Sequence, residues 1–185
     1  PTARLRFPYP GWDVSSPPCV RGADLIHIHD IAGFLSPVGL RRLFDSGKPV
    51  VWTLYGQEPM TGGCGDSCGC ENYSEACAEC PQLIKDPCGL PSAVLEDKAA
   101  LYGKGRFTLV ATDPWLLECA EKSRVFRGKK PVLIRRGMDP KLLLRPGKRT
   151  RRKESGKSSV VTLFLAGSGA GRPGRLLDET VLALQ

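Results

Sequence analysis

No apolar run in the sequence approaches the roughly 20 residues that a membrane-spanning helix needs. The opening stretch, which begins at Pro1, has no apolar core of the kind a secretory signal carries. Internal repetition is absent too, which excludes an array of stacked repeats. With 41% hydrophobic and 25% charged residues, the chain lacks the bias of a disordered or fibrous protein. These absences leave a globular chain, read as an intracellular fragment with a cytoplasmic location or as a poorly bounded open reading frame. Its 185 residues suffice for one α/β domain and the beginning of a second.

Charge is present but uneven. The net charge is +8, from 27 Lys and Arg against 19 Asp and Glu. Between Lys141 and Ser158 eight basic residues meet one acid, Glu154, so this stretch carries +7 and the remainder is close to neutral. A basic stripe confined to Gly/Ser/Lys-rich chain reads as a solvated linker, and no nucleic-acid partner is expected. Polyanion binding by residues 141–157 is the alternative, recognisable by steep salt dependence.

Periodicity predicts strands alternating with helices. Residues 1–22 are Pro-rich and aperiodic, hence irregular. The run Ala23-Asp24-Leu25-Ile26-His27-Ile28-His29 reads as a buried strand. Ser36-Pro37 is an N-cap followed by the residue best tolerated at the first helical position, and Leu40, Leu43 and Phe44 share one helical face before Gly47. Residues 49–54 give a second strand. After a long interruption a helix opens at Pro91, carries Val94, Leu95, Lys98, Leu101 and Tyr102, and closes at Gly103. A strand over 106–111, a helix opened by Asp113-Pro114, and a short strand over 131–134 follow. This alternation predicts a Rossmann-like, doubly wound parallel sheet. The domain is expected over 23–140, with an insertion over 56–90. A basic linker spans 141–158, and the strand and helix over 159–185 read as the first βα unit of a second domain.

Six of the eight cysteines fall in the insertion: Cys64, Cys68, Cys70, Cys77, Cys80 and Cys88. Cys77-x-x-Cys80 is a metal-chelate spacing, because two thiolates from one tight turn reach one tetrahedral ion. Cys64 and Cys70 complete a candidate four-thiolate set for a structural zinc or an iron–sulfur centre. No histidine lies in the loop, so its ligands would all be sulfur. Disulfides and plain packing residues are the competing readings. Cys19 and Cys119 read as buried apolar residues, and Trp52 and Trp115 as packing residues. His27 and His29 alternate on a strand and so share one face, where they would ligate a metal, contact a ligand or simply cap the strand end.

Several of these segments, in this order, resemble a known family. They are residues 23–29, Lys48-Pro49-Val50-Val51-Trp52-Thr53-Leu54, Pro59-Met60-Thr61-Gly62-Gly63-Cys64 and Cys80-Pro81-Gln82-Leu83. Together they resemble the N-terminal domain of family 4 glycosyltransferases, in the bacterial exopolysaccharide and colanic-acid-type branch that carries a cysteine loop. In that resemblance Cys64, Cys70, Cys77 and Cys80 fall at the branch's cysteine positions, and Cys68 and Cys88 are additions. Ala111-Thr112-Asp113-Pro114-Trp115-Leu116 is similar to the Pro-Ser-x-Trp-Leu element, and Ile134-Arg135-Arg136-Gly137-Met138-Asp139 to Pro-Asn-Gly-Val-Asp. The likeness runs from about Gly11 to the end of the chain.

The resemblance implies the GT-B architecture of two Rossmann-like domains facing across a cleft. It also implies retaining transfer from a nucleotide-sugar donor to a polysaccharide or lipid-linked acceptor, with no obligatory catalytic cofactor. Peripheral association with the inner face of a membrane would suit such acceptors. His27, His29, Tyr55, Thr61, Gly62 and Arg136 are the implied acceptor-side or cleft-facing residues. Gly167, Gly169, Arg172 and Arg175 are the implied donor-diphosphate residues. The sequence departs from the family where Tyr55-Gly56 replaces a His-Asp pair, Glu58 an aromatic residue and Arg136 an asparagine. A tyrosine does not do the acid–base work of a neutral imidazole near neutral pH, so no catalytic residue is assigned. The chain by itself is expected to transfer no sugar because the donor half is missing. The alternative is a non-catalytic remnant or binding module holding a thiolate-bound structural metal.

Overall fold

A computed structural model describes residues 5–137. The basic stretch over 141–158 and the unit over 159–185, including Gly167, Gly169, Arg172 and Arg175, lie outside the described residues.

The elements follow the alternation expected from the sequence. They are α1 (Pro18–Arg21), β1 (Ile26–Ile28), α2 (Pro37–Phe44), β2 (Val50–Leu54), α3 (Leu90–Leu101), β3 (Thr108–Ala111), α4 (Pro114–Lys122) and β4 (Val132–Leu133). The four strands form one parallel sheet in the order β1-β2-β3-β4. The protein is therefore a mixed α/β fold. The strand order rises without reversal, so the switch point that defines a doubly wound sheet is not among the described residues. No described helix is long and apolar enough to cross a membrane.

Local chemistry sets the helix starts. The Ser36 hydroxyl accepts from the Gly39 amide at 3.2 Å, and an Asp113 carboxylate oxygen accepts from the Leu116 amide at 2.8 Å. In both cases the cap satisfies an amide that lacks an intrahelical acceptor, and proline follows at no hydrogen-bonding cost. Between α2 and β2 the chain turns through Gly47 at φ +76°, a conformation that a Cβ disfavours.

Register sorts the sheet into two faces. Ile26, Ile28, Val50, Trp52, Leu54, Leu109 and Ala111 share one face through the pairs Ile26–Val50, Ile28–Trp52, Trp52–Leu109 and Leu54–Ala111. At its centre Trp52 is fully buried and meets the rings of Tyr102 and Phe126 edge-on, at centroid distances of 5.2 and 5.7 Å. The other face carries His27, Val51, Thr53, Thr108 and Val110. Here Thr53 and Val110 are buried whereas His27 and Thr108 are exposed, so this face is covered only in part.

Three expectations are corrected. The first strand is three residues long rather than seven, because only Ile26 to Ile28 find a partner in β2 and Leu25 is half exposed. Cys19 is exposed, because it lies on the one-turn helix α1, which buries none of its residues and interrupts the segment expected to be irregular. Trp115 is 54% exposed on the first turn of α4, while Leu116 and Cys119 take the buried face.

Candidate functional site

The carboxyl ends of β1, β2 and β4 bring together four of the residues singled out in the sequence. His27 lies within β1 and His29 just beyond it, on the same side, with ring centroids 4.0 Å apart. His27 Nε2 shares a hydrogen bond of 2.9 Å with Thr53 Oγ1, and His29 Nδ1 shares one of 3.0 Å with the Tyr55 hydroxyl. The imidazoles in and just after β1 are thus held by hydroxyls two positions apart in and just after β2, a consequence of parallel register. The chain leaving β4 is kept in place where the Ile134 amide donates to the Ala111 carbonyl at 2.9 Å. It delivers the Arg136 guanidinium to 5.4 Å from the Tyr55 ring centroid, within cation–π range. His27, His29, Tyr55 and Arg136 are all exposed. The group offers imidazole nitrogens, a phenol and a guanidinium from the strand ends where open α/β sheets bind ligands.

Thr61 and Gly62 are not part of this group. Both are buried in the insertion, where Thr61 Oγ1 donates to the Cys64 carbonyl at 2.8 Å. A Cβ on Gly62 would stand 2.3 Å from the Pro91 carbonyl oxygen, so glycine lets the insertion lie against the start of α3.

Compared with models of known families, with curated proteins and with solved structures, the chain matches none.

The insertion has its own centre. Lys98 on α3 is fully buried, and its Nζ donates to Glu58 Oε1 at 2.7 Å, the Glu58 carbonyl at 2.5 Å and the Thr61 carbonyl at 3.0 Å. Burial pushes the Lys98 ammonium below its ordinary range, against the opposing pull of the Glu58 carboxylate. Cys64 and Cys77 are buried beside it, Cys70 and Cys80 are half-buried, and Cys68 and Cys88 are exposed. Burial pushes the Cys64 thiol up to about 12. Cys80, Cys77 and Cys70 add to that rise, whereas the Lys98 charge opposes it. Burial also raises the Cys77 thiol, and the amide of Gly62, donating to its sulfur at 3.3 Å, lowers it. Among the described residues, no three His, Cys, Asp or Glu side chains already stand arranged to hold a metal ion.

Three functional contacts were not identified in the sequence. Thr53 reads as an ordinary strand residue until pairing sets it beside His27. Lys98 does carry a signal, since a lysine falls on the apolar face of α3, but its partner Glu58 lies in irregular chain. Gln57, 1% exposed, accepts from the Ser67 amide at 2.6 Å and donates to Cys119 Sγ at 3.3 Å, tying the insertion to α4.

Proposed function

We propose that this chain is the acceptor-side, Rossmann-like portion of a GT-B glycosyltransferase, which transfers a sugar with retention from a nucleotide-sugar donor to a polysaccharide or lipid-linked acceptor. The observation that carries the reading is the gathering of His27, His29, Tyr55 and Arg136 at the carboxyl ends of parallel strands. Sugars present hydroxyls that both donate and accept, and imidazoles and a phenol match them in kind. A guanidinium adds paired donors suited to a phosphate on a lipid-linked acceptor. The parallel α/β sheet and the ordered motifs support the same reading.

The chain contains only two histidines, so their imidazole resonances are clean probes. Titration with oligosaccharides, free and lipid-linked, should shift both resonances, and Tyr55→Ala should weaken the response by roughly tenfold, as for loss of about 1.4 kcal/mol. Resonances that stay fixed up to roughly millimolar glycan, where binding is worth only about 4 kcal/mol, would sink the proposal. A second reading, a glycan-binding module without catalysis, is favoured by Tyr55-Gly56 at the positions the resemblance assigns to His-Asp. Its signature is glycan-dependent shifts without release of nucleoside diphosphate from any nucleotide sugar by the intact parent protein, since the chain by itself is expected to transfer no sugar on either reading.

A further inference from the structure

The insertion devotes several separate devices to four of its sulfur atoms. A backbone amide is aimed at each of two sulfurs: that of Gly62 at Cys77 Sγ, 3.3 Å, and that of Asn72 at Cys70 Sγ, 3.5 Å. Amide donors favour sulfur in its charged form, the form that binds metal. The turn Cys77-Ala78-Glu79-Cys80 places Cys77 at φ +49° and Glu79 at φ +50°, although neither is glycine. Left-handed backbone at such residues costs energy and persists only where surrounding contacts impose it. Here the Cys77 amide donates to the Asn72 carbonyl at 2.8 Å, and the Asn72 side-chain amide donates to the Ala78 carbonyl at 2.9 Å. The turn is therefore built from outside itself, and it presents two cysteines from one tight bend.

The remaining devices are burial and charge. Cys64 and Cys77 stand at 8% exposure, and Lys98, a fully buried cation, donates to the Thr61 carbonyl at 3.0 Å, three residues before Cys64. Cys70 and Cys80 are half-buried, and the Asn72 backbone joins the Cys70 and Cys77 turns, its amide donating to Cys70 Sγ and its carbonyl accepting from the Cys77 amide. Cys68 and Cys88 receive no amide at sulfur and face solvent, although Cys68 too takes left-handed backbone, at φ +52°.

We propose that Cys64, Cys70, Cys77 and Cys80 form a tetrathiolate site for one structural zinc ion. On binding, each thiol gives its proton to solvent and forms one sulfur–zinc bond, so no oxidant or reductant is consumed. Four thiolates around a divalent ion leave an excess of negative charge, and the Lys98 ammonium offsets part of it. The ion would draw the outer pair, Cys70 and Cys80, onto the buried pair, Cys64 and Cys77. It would hold the insertion against α3. This inference is independent of the sugar-transfer reading.

The test uses the full chain purified from a reducing cytosol. Elemental analysis should find one zinc per chain, and a thiol reagent should find four of the eight cysteines, besides the core residue Cys119, protected until a chelator is added. Replacement of zinc by cobalt(II) should give the visible bands of a tetrahedral all-sulfur site. Cys68→Ser and Cys88→Ser should leave the metal stoichiometry unchanged, whereas Cys80→Ser should change the cobalt spectrum to that of a three-sulfur site or abolish it. Because loss of a ligand also disturbs folding, the cobalt spectrum of the unsubstituted chain counts the sulfurs independently. A chain that takes up neither zinc nor cobalt, a disulfide among these four cysteines, or equal loss of metal on Cys68→Ser would overturn the proposal.

Discussion

Replacing Lys98 with methionine tests the centre of the insertion most directly. Methionine preserves most of the volume, so the substitution removes charge and hydrogen bonds with little cavity. It leaves the Glu58 carboxylate facing apolar surroundings and strips the Glu58 and Thr61 carbonyls of their shared donor. Glu58 has no reserve, since its Oε2 atom is already buried without a partner. Breaking a buried pair from one side costs about 3–5 kcal/mol. With a urea dependence of about 1–3 kcal/mol per molar, the unfolding midpoint should fall by about 2 M. Fluorescence of Trp52, fully buried against Tyr102, reports the transition, while Trp12 and Trp115, 70% and 54% exposed, contribute background. The companion Glu58→Gln/Lys98→Met should regain only part of the loss, because it removes the stranded charge but still leaves the Thr61 carbonyl without the Lys98 donor and the Glu58 carbonyl with only the 3.4 Å contacts from Thr61. A midpoint shift for Lys98→Met under about 0.5 M, corresponding to about 1 kcal/mol, would refute this account of the pair. Equal losses in the single and double variants would show that the Glu58 charge is not the source of the cost.

Other substitutions follow from single contacts. Gly62→Ala forces a methyl group to within 2.3 Å of the Pro91 carbonyl oxygen and should lower stability by about 1–3 kcal/mol, read as a lower melting temperature. Asp113→Ala removes the cap of α4 and should cost about 1 kcal/mol in urea unfolding, with Asp113→Asn recovering most of it. Asp13 is held near pKa 2 rather than 3.8, first by hydrogen bonds from Ser15 and then by Arg42. Its folded pKa is depressed, so its contribution is complete above 3.8 and disappears as pH falls toward 2. Asp13→Asn should flatten the acid limb of the stability profile across that window. An unchanged limb would show that the carboxylate gains nothing from these partners.

What could be read from the sequence was chemistry completed within a few residues. Ser36-Pro37 and Asp113-Pro114 both mark helix starts, because a cap and a proline satisfy their own neighbours. Trp52 sits mid-strand in an apolar run and is buried accordingly. Features that depend on distant partners were less accessible. The length of β1 is decided by how much of β2 lies beside it, which a run of seven suitable residues does not reveal. Strand order belongs to the same class, since alternation of strands and helices is equally compatible with a sheet that reverses and one that does not. His27 and His29 could be placed on one side of their strand, but their hydroxyl partners Thr53 and Tyr55 emerge only from parallel register. Lys98 was conspicuous on an apolar face, whereas its acid lies 40 positions away in chain without periodicity.

The insertion also bears on the order of folding. β2 and β3 are neighbours in the sheet, with Val51 beside Thr108, yet the whole cysteine-bearing loop and α3 lie between them in the chain. At equilibrium the longer connection costs little, about 1 kcal/mol in closure entropy. Its effect on rate is larger, because pairing of the two central strands must wait for a long intervening segment to become compact. The contacts Gln57 to Ser67 and Gly62 to Cys77 close short loops inside that segment. Each one shortens the distance the chain must search before the sheet can join. The insertion is thus an internal splint for assembly: weakening it should slow formation of the β2–β3 pair, although none of its residues belongs to either strand.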